Sequence, residues 1–208
     1  MNASPRLTDR KREAIVTAAI AEFRENGFEV TSMDRIAATA GVSKRTVYNH
    51  FPSKEELFSE ILHQLWASSS AQLDVAYSSE QPLRDQLRKL LEAKMKMMLD
   101  ANFLDLARVA IAATIHSPER AQDMVNRLSA REEGFTVWVR AAQEDGRLSG
   151  DDPAFAAHQI QSLLKAFAFW PQITLGQPTL DAASQVHVIE SAIDLFLAGY
   201  EVDSRRSR

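Results

Sequence analysis

Residues 31–51 read Thr31-Ser32-Met33-Asp34-Arg35-Ile36-Ala37-Ala38-Thr39-Ala40-Gly41-Val42-Ser43-Lys44-Arg45-Thr46-Val47-Tyr48-Asn49-His50-Phe51. Ile36, Ala37 and Ala40 form a small apolar face at helical spacing, and Thr31 with Asp34 has the form of a capping pair. Gly41 supplies a turn in which a positive φ is cheap. Val42 plugs the corner, Ser43 can cap the next helix, and Val47 and Phe51 return to the core. The small side chain of Ala37 lets a second helix cross closely. Two short helices, a tight glycine turn and an alanine at the crossing are what a helix-turn-helix requires.

The second short helix turns Lys44, Arg45, Thr46, Tyr48, Asn49 and His50 outward. The first residues of a recognition helix face base edges in the major groove. Arg45 suits guanine O6 and N7, Lys44 a guanine or a phosphate, and Thr46, Tyr48 and His50 phosphate oxygens. Thr31, Ser32 and Ser43, at the helix starts, complete the candidate DNA-contacting set. Lys54 adds an expected backbone clamp at the start of the following helix, where side-chain charge and helix dipole both favour an anion. Spacing alone leaves open a plain solvated face.

Outward from this segment the chain reads as all-helical. Expected helices cover 8–26, two short ones within 31–49, one from 53 to before Pro82, then 82–100, 102–115, 118–145, 153–175 and 180–202. Ser53-Lys54-Glu55-Glu56 is a capping box, and Ser117-Pro118 and Asp152-Pro153 place proline at a first helical position. Pro82 does the same, and Gly146 has the character of a helix stop. Two parts are expected: a three-helix DNA-binding domain over 1–52 and a larger helical effector-binding and dimerisation domain over 53–208.

Charge follows the same division. Residues 1–54 hold nine Lys/Arg against six Asp/Glu, and the remainder fifteen against twenty-two, within a formal net charge of -4. A basic head on an acidic body suits a protein that meets phosphate at one end. With 45% hydrophobic residues the chain can bury a real core, and with no cysteine it has no disulfide, thiolate metal site or cysteine nucleophile. The polar, basic N-terminus and the lack of a long apolar run predict a cytoplasmic protein without a membrane partner.

The stretch resembles the DNA-binding domain of the TetR family of bacterial regulators. The resemblance is carried by Ile36-Ala37, by Ala40-Gly41-Val42-Ser43-Lys44 and by Thr46-Val47-Tyr48-Asn49-His50-Phe51-Pro52-Ser53-Lys54-Glu55-Glu56-Leu57. Upstream, residues 15–23, Gly27-Phe28 and Thr31 match as well, so it covers about residues 10–60. Arg45 stands where many relatives carry glycine or a small residue, a departure that bears on operator sequence rather than fold. Residues 106–116, Ser117-Pro118-Glu119 and Leu164-Lys165-Ala166-Phe167-Ala168-Phe169-Trp170-Pro171-Gln172 resemble the C-terminal domain of the AefR-like branch. The resemblance implies a homodimer, a palindromic double-stranded operator and a small-molecule effector that releases the protein, with the family leaning to repression.

In the larger part, Val186, Ile189, Ile193 and Phe196, and Ile160, Leu163 and Phe167, form stripes at helical spacing. They suit a four-helix dimer interface, with intrachain core as the rival reading. Met95, Met98, Phe103, Phe135, Trp138, Phe167 and Trp170 suggest an apolar effector pocket, with Arg108 and His116 to orient a polar atom. Ordinary core is the rival reading there. No cofactor, metal or catalytic residue is expected. Glu60 and His63 have the Glu-x-x-His spacing of helical di-iron sites, but no second such pair exists among the five histidines. A helical interaction or small-molecule-binding module without DNA remains the alternative function.

Overall fold

The computed structural model describes residues 7–70, 76–115, 117–129 and 134–202. Among these it contains α1 (Leu7–Asn26), α2 (Met33–Thr39), α3 (Lys44–His50), α4 (Lys54–Ser70), α5 (Leu83–Met98) and α6 (Ala101–Ile115). There follow α7 (Pro118–Ser129), α8 (Gly134–Glu144), α9 (Pro153–Ala168), α10 (Trp170–Leu175) and α11 (Ala182–Tyr200). The one extended pairing among the described residues is an isolated antiparallel bridge between Leu148 and Glu201, so the all-helical class holds. None of the helices described is long and apolar enough to cross a membrane.

Capping chemistry fixes most of the helix starts. Ser53 Oγ accepts from Glu56 N at 3.1 Å, and Asp152 accepts from the amides of Ala154 and Phe155 at 2.9 and 3.0 Å. Each such cap is worth roughly 1 kcal/mol. The expected 153–175 helix is broken into α9 and α10, and the described parts of the expected 118–145 helix are α7 and α8. Phe169 leaves helical geometry (φ −130°, ψ −62°) just before Trp170-Pro171. Proline has no N–H to continue a ladder, and its ring disfavours helix in the preceding turn, so a new helix starts there.

The described residues within Met1–Ala67 and Asp105–Leu128 form one compact unit; those within Ser68–Leu104 and Ser129–Arg208 form another. In the first, Ile15, Ala19 and Phe23 of α1 bury with Phe28, Ile36, Ala37, Val47, Phe51, Leu57, Phe58 and Ile61. Leu106, Val109, Ala110 and Ala113 of α6 belong to the same core. In the second, α9 packs against α5, α8, α10 and α11. Leu87, Leu90 and Leu91, Phe135, Trp138 and Val139, and Ile160 and Leu164 are fully or almost fully buried there. Burying one such side chain stabilises by ~1.5–3 kcal/mol, whereas an exposed ion pair gives ~0–1 kcal/mol, so the apolar pattern decides the fold.

Candidate nucleic-acid interface

The helix-turn-helix is built as its sequence implies. Gly41, at φ 65°, makes the turn, and its amide and that of Val42 donate to the carbonyls of Ala38 and Ala37 at 3.2 and 3.1 Å. Val47 is fully buried and Phe51 is 3% exposed, which anchors one side of α3. Ser43 caps α3, its Oγ accepting from Thr46 N at 3.1 Å and lying 2.8 Å from Thr46 Oγ1.

The start of α2 differs from expectation. Its N-cap is Ser32, whose side chain accepts from Arg35 N at 3.3 Å. Thr31 is 2% exposed, and its hydroxyl donates to the carbonyls of Gly27 (2.8 Å) and Glu22 (3.2 Å). With that hydroxyl committed inward, Thr31 serves the fold. Ser32 stays exposed.

Arg45, Tyr48 and Asn49 lie on the exposed side of α3 at i, i+3 and i+4, and among the described residues no hydrogen bond or ion pair is made by their side chains. Tyr48 is 43% exposed. His50 is half-buried, its ring 6.5 Å from that of Phe51. Lys44 reaches back across the turn, its ammonium 2.8 Å from the Asp34 carboxylate of α2. That hydrogen bond, reinforced by the carboxylate's charge, holds the ammonium pKa above its ordinary value.

Lys54 has a different place from the expected phosphate clamp. Its Nζ donates to the carbonyls of Phe28 (2.6 Å), Glu29 (3.1 Å) and Thr31 (3.1 Å), and it stands 4.5 Å from the Phe28 ring centroid. An ammonium has three N–H donors, and all three are spent on the turn between α1 and α2.

Sequence reasoning missed Glu22. It is 7% exposed, its carboxylate accepts from Thr39 Oγ1 (2.6 Å) and Asn26 Nδ2 (3.0 Å), and it forms an ion pair with Arg35, whose Nε lies 3.1 Å away. It thereby ties α2 to α1. A glutamate with apolar neighbours on both sides in the sequence was the only available signal. Glu60, half of the Glu-x-x-His spacing, is held by Arg12 (2.8 Å) and Gln64 (3.2 Å).

The expected effector residues are not one group. Met95, Met98, Phe103, Phe135 and Trp138 are all buried in the second unit, with Trp138 Nε1 donating to Gln86 Oε1 at 3.2 Å. Arg108 falls in the first unit and pairs with Asp105 at 2.7 Å. Phe167 and Trp170 are 54% and 47% exposed, and His116 lies outside the described residues. An open crevice of about 490 Å³ is lined by Leu83, Arg84, Arg147, Asp194, Leu197 and Glu201, none of them expected there.

The expected dimer stripe also divides. Ile160, Ile189, Ile193 and Phe196 are buried within the chain, as intrachain core. Leu163 is half-buried, and Phe167 and Val186 (62%) are open. Further open apolar groups are Phe155 on α9 and Leu195 on α11.

Comparison with known proteins agrees with this geometry. Residues 15–61 match the bacterial regulatory proteins of the tetR family, and residues 85–202 match the AefR-like transcriptional repressor, C-terminal domain. A TetR family transcriptional regulator from Pseudomonas syringae pv. tomato str. DC3000 is 56% identical, with a TM-score of 0.85 over 95% of this chain and 100% of that one. The flavonoid-responsive regulator FrrA is 27% identical, with a TM-score of 0.69 over 94% and 100%. The HTH-type transcriptional regulator YhgD of Bacillus subtilis is 28% identical over 88% of this chain and 93% of its own. The chain belongs to the TetR family of bacterial regulatory proteins, and it is a helix-turn-helix transcriptional regulator with a C-terminal domain of the AefR-like repressor type.

Proposed function

We propose that the protein is a homodimeric repressor that reads a palindromic operator with two copies of α3 and is released by a small-molecule effector. Residues 1–52 are assigned to DNA and 53–208 to effector binding and dimerisation. The observation that carries the DNA reading is the outward side of α3. Arg45, Tyr48 and Asn49 are presented on a helix whose other side is fixed by buried Val47 and Phe51. Arg45 is assigned to a guanine in the half-site, where a bidentate pair discriminates by ~1–3 kcal/mol. Lys44, Ser32, Ser43, Thr46, Tyr48 and His50 are assigned to phosphates and the groove wall, and Asn49 to a base edge.

One seven-residue helix reads only a few base pairs. Two of them, held roughly 34–36 Å apart by a dimer, read successive major grooves. The second copy is placed on the open apolar groups Phe155, Phe167 and Trp170 and the half-buried Leu163 of α9 and α10, with Val186 and Leu195 of α11. The effector is placed among Met95, Met98, Phe103, Phe135 and Trp138, where methionines repack readily. FrrA, named as flavonoid-responsive, supports an aromatic ligand class. Release requires that the effector bind the spacing that misfits DNA more tightly than the spacing that fits. Such a protein works in the cytoplasm, and binding rather than catalysis is its task.

The test is selection of bound duplexes from a random library at physiological salt. An enriched palindrome is expected, and Arg45→Ala should relax preference at one position in each half-site. A folded, dimeric protein that enriches no sequence, with or without aromatic ligands present, would sink the reading.

A further inference from the structure

We propose that Arg120, on α7, is a positioning residue for the DNA-reading helices, acting through the turn between α1 and α2. The inference rests on the DNA-binding reading above and adds a residue from the C-terminal part of the sequence to it. Gly27 ends α1 with φ 81°, and α2 begins six residues later at Met33, so residues 28–32 set where α2 and α3 lie.

Besides the Thr31 hydroxyl, bonded to the Gly27 and Glu22 carbonyls, three side chains hold this turn. Phe28 is 5% exposed, packed with its ring centroid 5.1 Å from both Phe23 and Phe58. Lys54 binds the carbonyls of Phe28, Glu29 and Thr31. Arg120 places its guanidinium 4.2 Å from the Phe28 ring centroid and donates from Nη1 to Glu29 Oε1 at 2.6 Å. Phe28 therefore carries two cations, each within the range in which a ring quadrupole attracts a positive charge. Two cations over one ring repel, and the Glu29 carboxylate is the group that compensates. It is bonded to Arg120, and both cations hold its pKa below the usual carboxylate value.

Arg120 is placed for this from its own side. Ser117 Oγ accepts from Arg120 N at 3.4 Å at the start of α7, and Met124 one turn on packs against the head's core. Its side chain is 27% exposed, whereas that of Glu29 is 72% exposed. An arginine placed only for solubility would not cover a ring and hold a turn 91 residues away in sequence. The plane of the guanidinium does both at once, which a lysine ammonium does less well.

Arg120→Ala and Arg120→Lys test the proposal. In Arg120→Ala, amide exchange over residues 28–39 should accelerate about ten-fold, while amides of α5 and α11 keep their rates. Affinity for the selected operator should fall about ten-fold with an unchanged dependence on salt, because no phosphate contact is lost. Arg120→Lys should recover part of both effects. Unchanged exchange in residues 28–39 overturns the proposal. So does a salt slope shallower by about one, which makes Arg120 a phosphate ligand. Equal acceleration in every helix also overturns it, since that is general destabilisation. If the natural protein selects no duplex, the DNA reading has failed, and the exchange result still decides whether Arg120 positions the turn. Should Arg120→Ala not fold, Glu29→Ala removes the same bond from an exposed residue and must reproduce the exchange change.

Discussion

Thr39 Oγ1 donates to Glu22 Oε1 at 2.6 Å, which ties the last residue of α2 to the C-terminal third of α1. The same carboxylate holds Asn26 and Arg35, and the Glu22 carbonyl receives Thr31 Oγ1. One buried residue thus fixes both ends of α2.

Glu22→Gln keeps the shape but removes the charge and puts an NH₂ donor among groups that are themselves donors. A buried hydrogen-bond network broken on one side costs ~1–3 kcal/mol. For a chain of this size that lowers Tm by roughly 3–10 °C. Calorimetry giving a midpoint within a degree of the natural protein would show the network to be ornamental.

Lys44 and Asp34 make an exposed pair across the helix-turn-helix. The carboxylate competes with phosphate for the ammonium. Asp34→Asn should therefore raise operator affinity about two- to five-fold at low salt and steepen its salt dependence. A lysine ammonium is fully charged near neutrality with or without the Asp34 carboxylate, so the gain should be flat with pH near 7. A lower affinity would instead mean that Asp34 orients Lys44 on the DNA.

The helix-turn-helix was legible because each of its requirements sits within a few residues. Gly41 at the turn, Val47 and Phe51 on the buried side and Ser43 at the cap all follow from local spacing. What could not be read depends on partners far along the chain. Thr31 and Ser32 both carry a hydroxyl at a helix start, and Ser32 becomes the cap because the Thr31 hydroxyl is drawn to carbonyls of α1's last turns. Lys54 announces only a cation at a helix N-terminus; its acceptors lie 23 to 26 residues upstream. The stripes of α9 and α11 were visible as apolar, but periodicity does not say which apolar side meets the chain's own core. Ile193 and Phe196 face inward while Leu195, between them in α11, stands 61% exposed.

Glu190 on α11 accepts from Arg88 Nε at 2.6 Å and from Arg84 Nη1 at 3.1 Å, both on α5. The Arg88 hydrogen bond, resisted by partial desolvation and helped by both guanidinium charges, holds its pKa below the ordinary glutamate value. A carboxylate with a depressed folded pKa contributes stability that is present above the unfolded pKa and lost as the pH falls through the folded one. Replacing Glu190 by Gln should therefore lower the unfolding midpoint at pH 7 and leave it nearly unchanged in strong acid. The side chain is 34% exposed, so the effect is at most about 1 kcal/mol. A deficit that persists undiminished at low pH would assign the loss to packing.

Phe155, Phe167 and Trp170 are 58%, 54% and 47% exposed, and they follow one another along α9 into α10 at intervals of twelve and three residues, with half-buried Leu163 between. An isolated chain gains nothing from large apolar groups held in water, whereas a second copy removes them from it at ~25 cal/mol per Å². Phe167→Glu places a charge at the centre of this stripe. Because the residue is exposed within its own chain, the substitution should change the stability of a single subunit by only about 0.5 kcal/mol. It should nevertheless convert the dimer to monomer in sedimentation. Operator affinity should then collapse, since one α3 retains only half of the site. Val125→Glu, on α7 in the other compact unit and 50% exposed, adds the same charge and should leave the dimer intact. If Phe167→Glu stays dimeric, the two copies meet elsewhere, and the apolar groups of α9 and α10 need another occupant. If it becomes monomeric and still binds the full operator at natural affinity, the palindromic reading itself is wrong, because nothing would then hold two recognition helices one DNA turn apart.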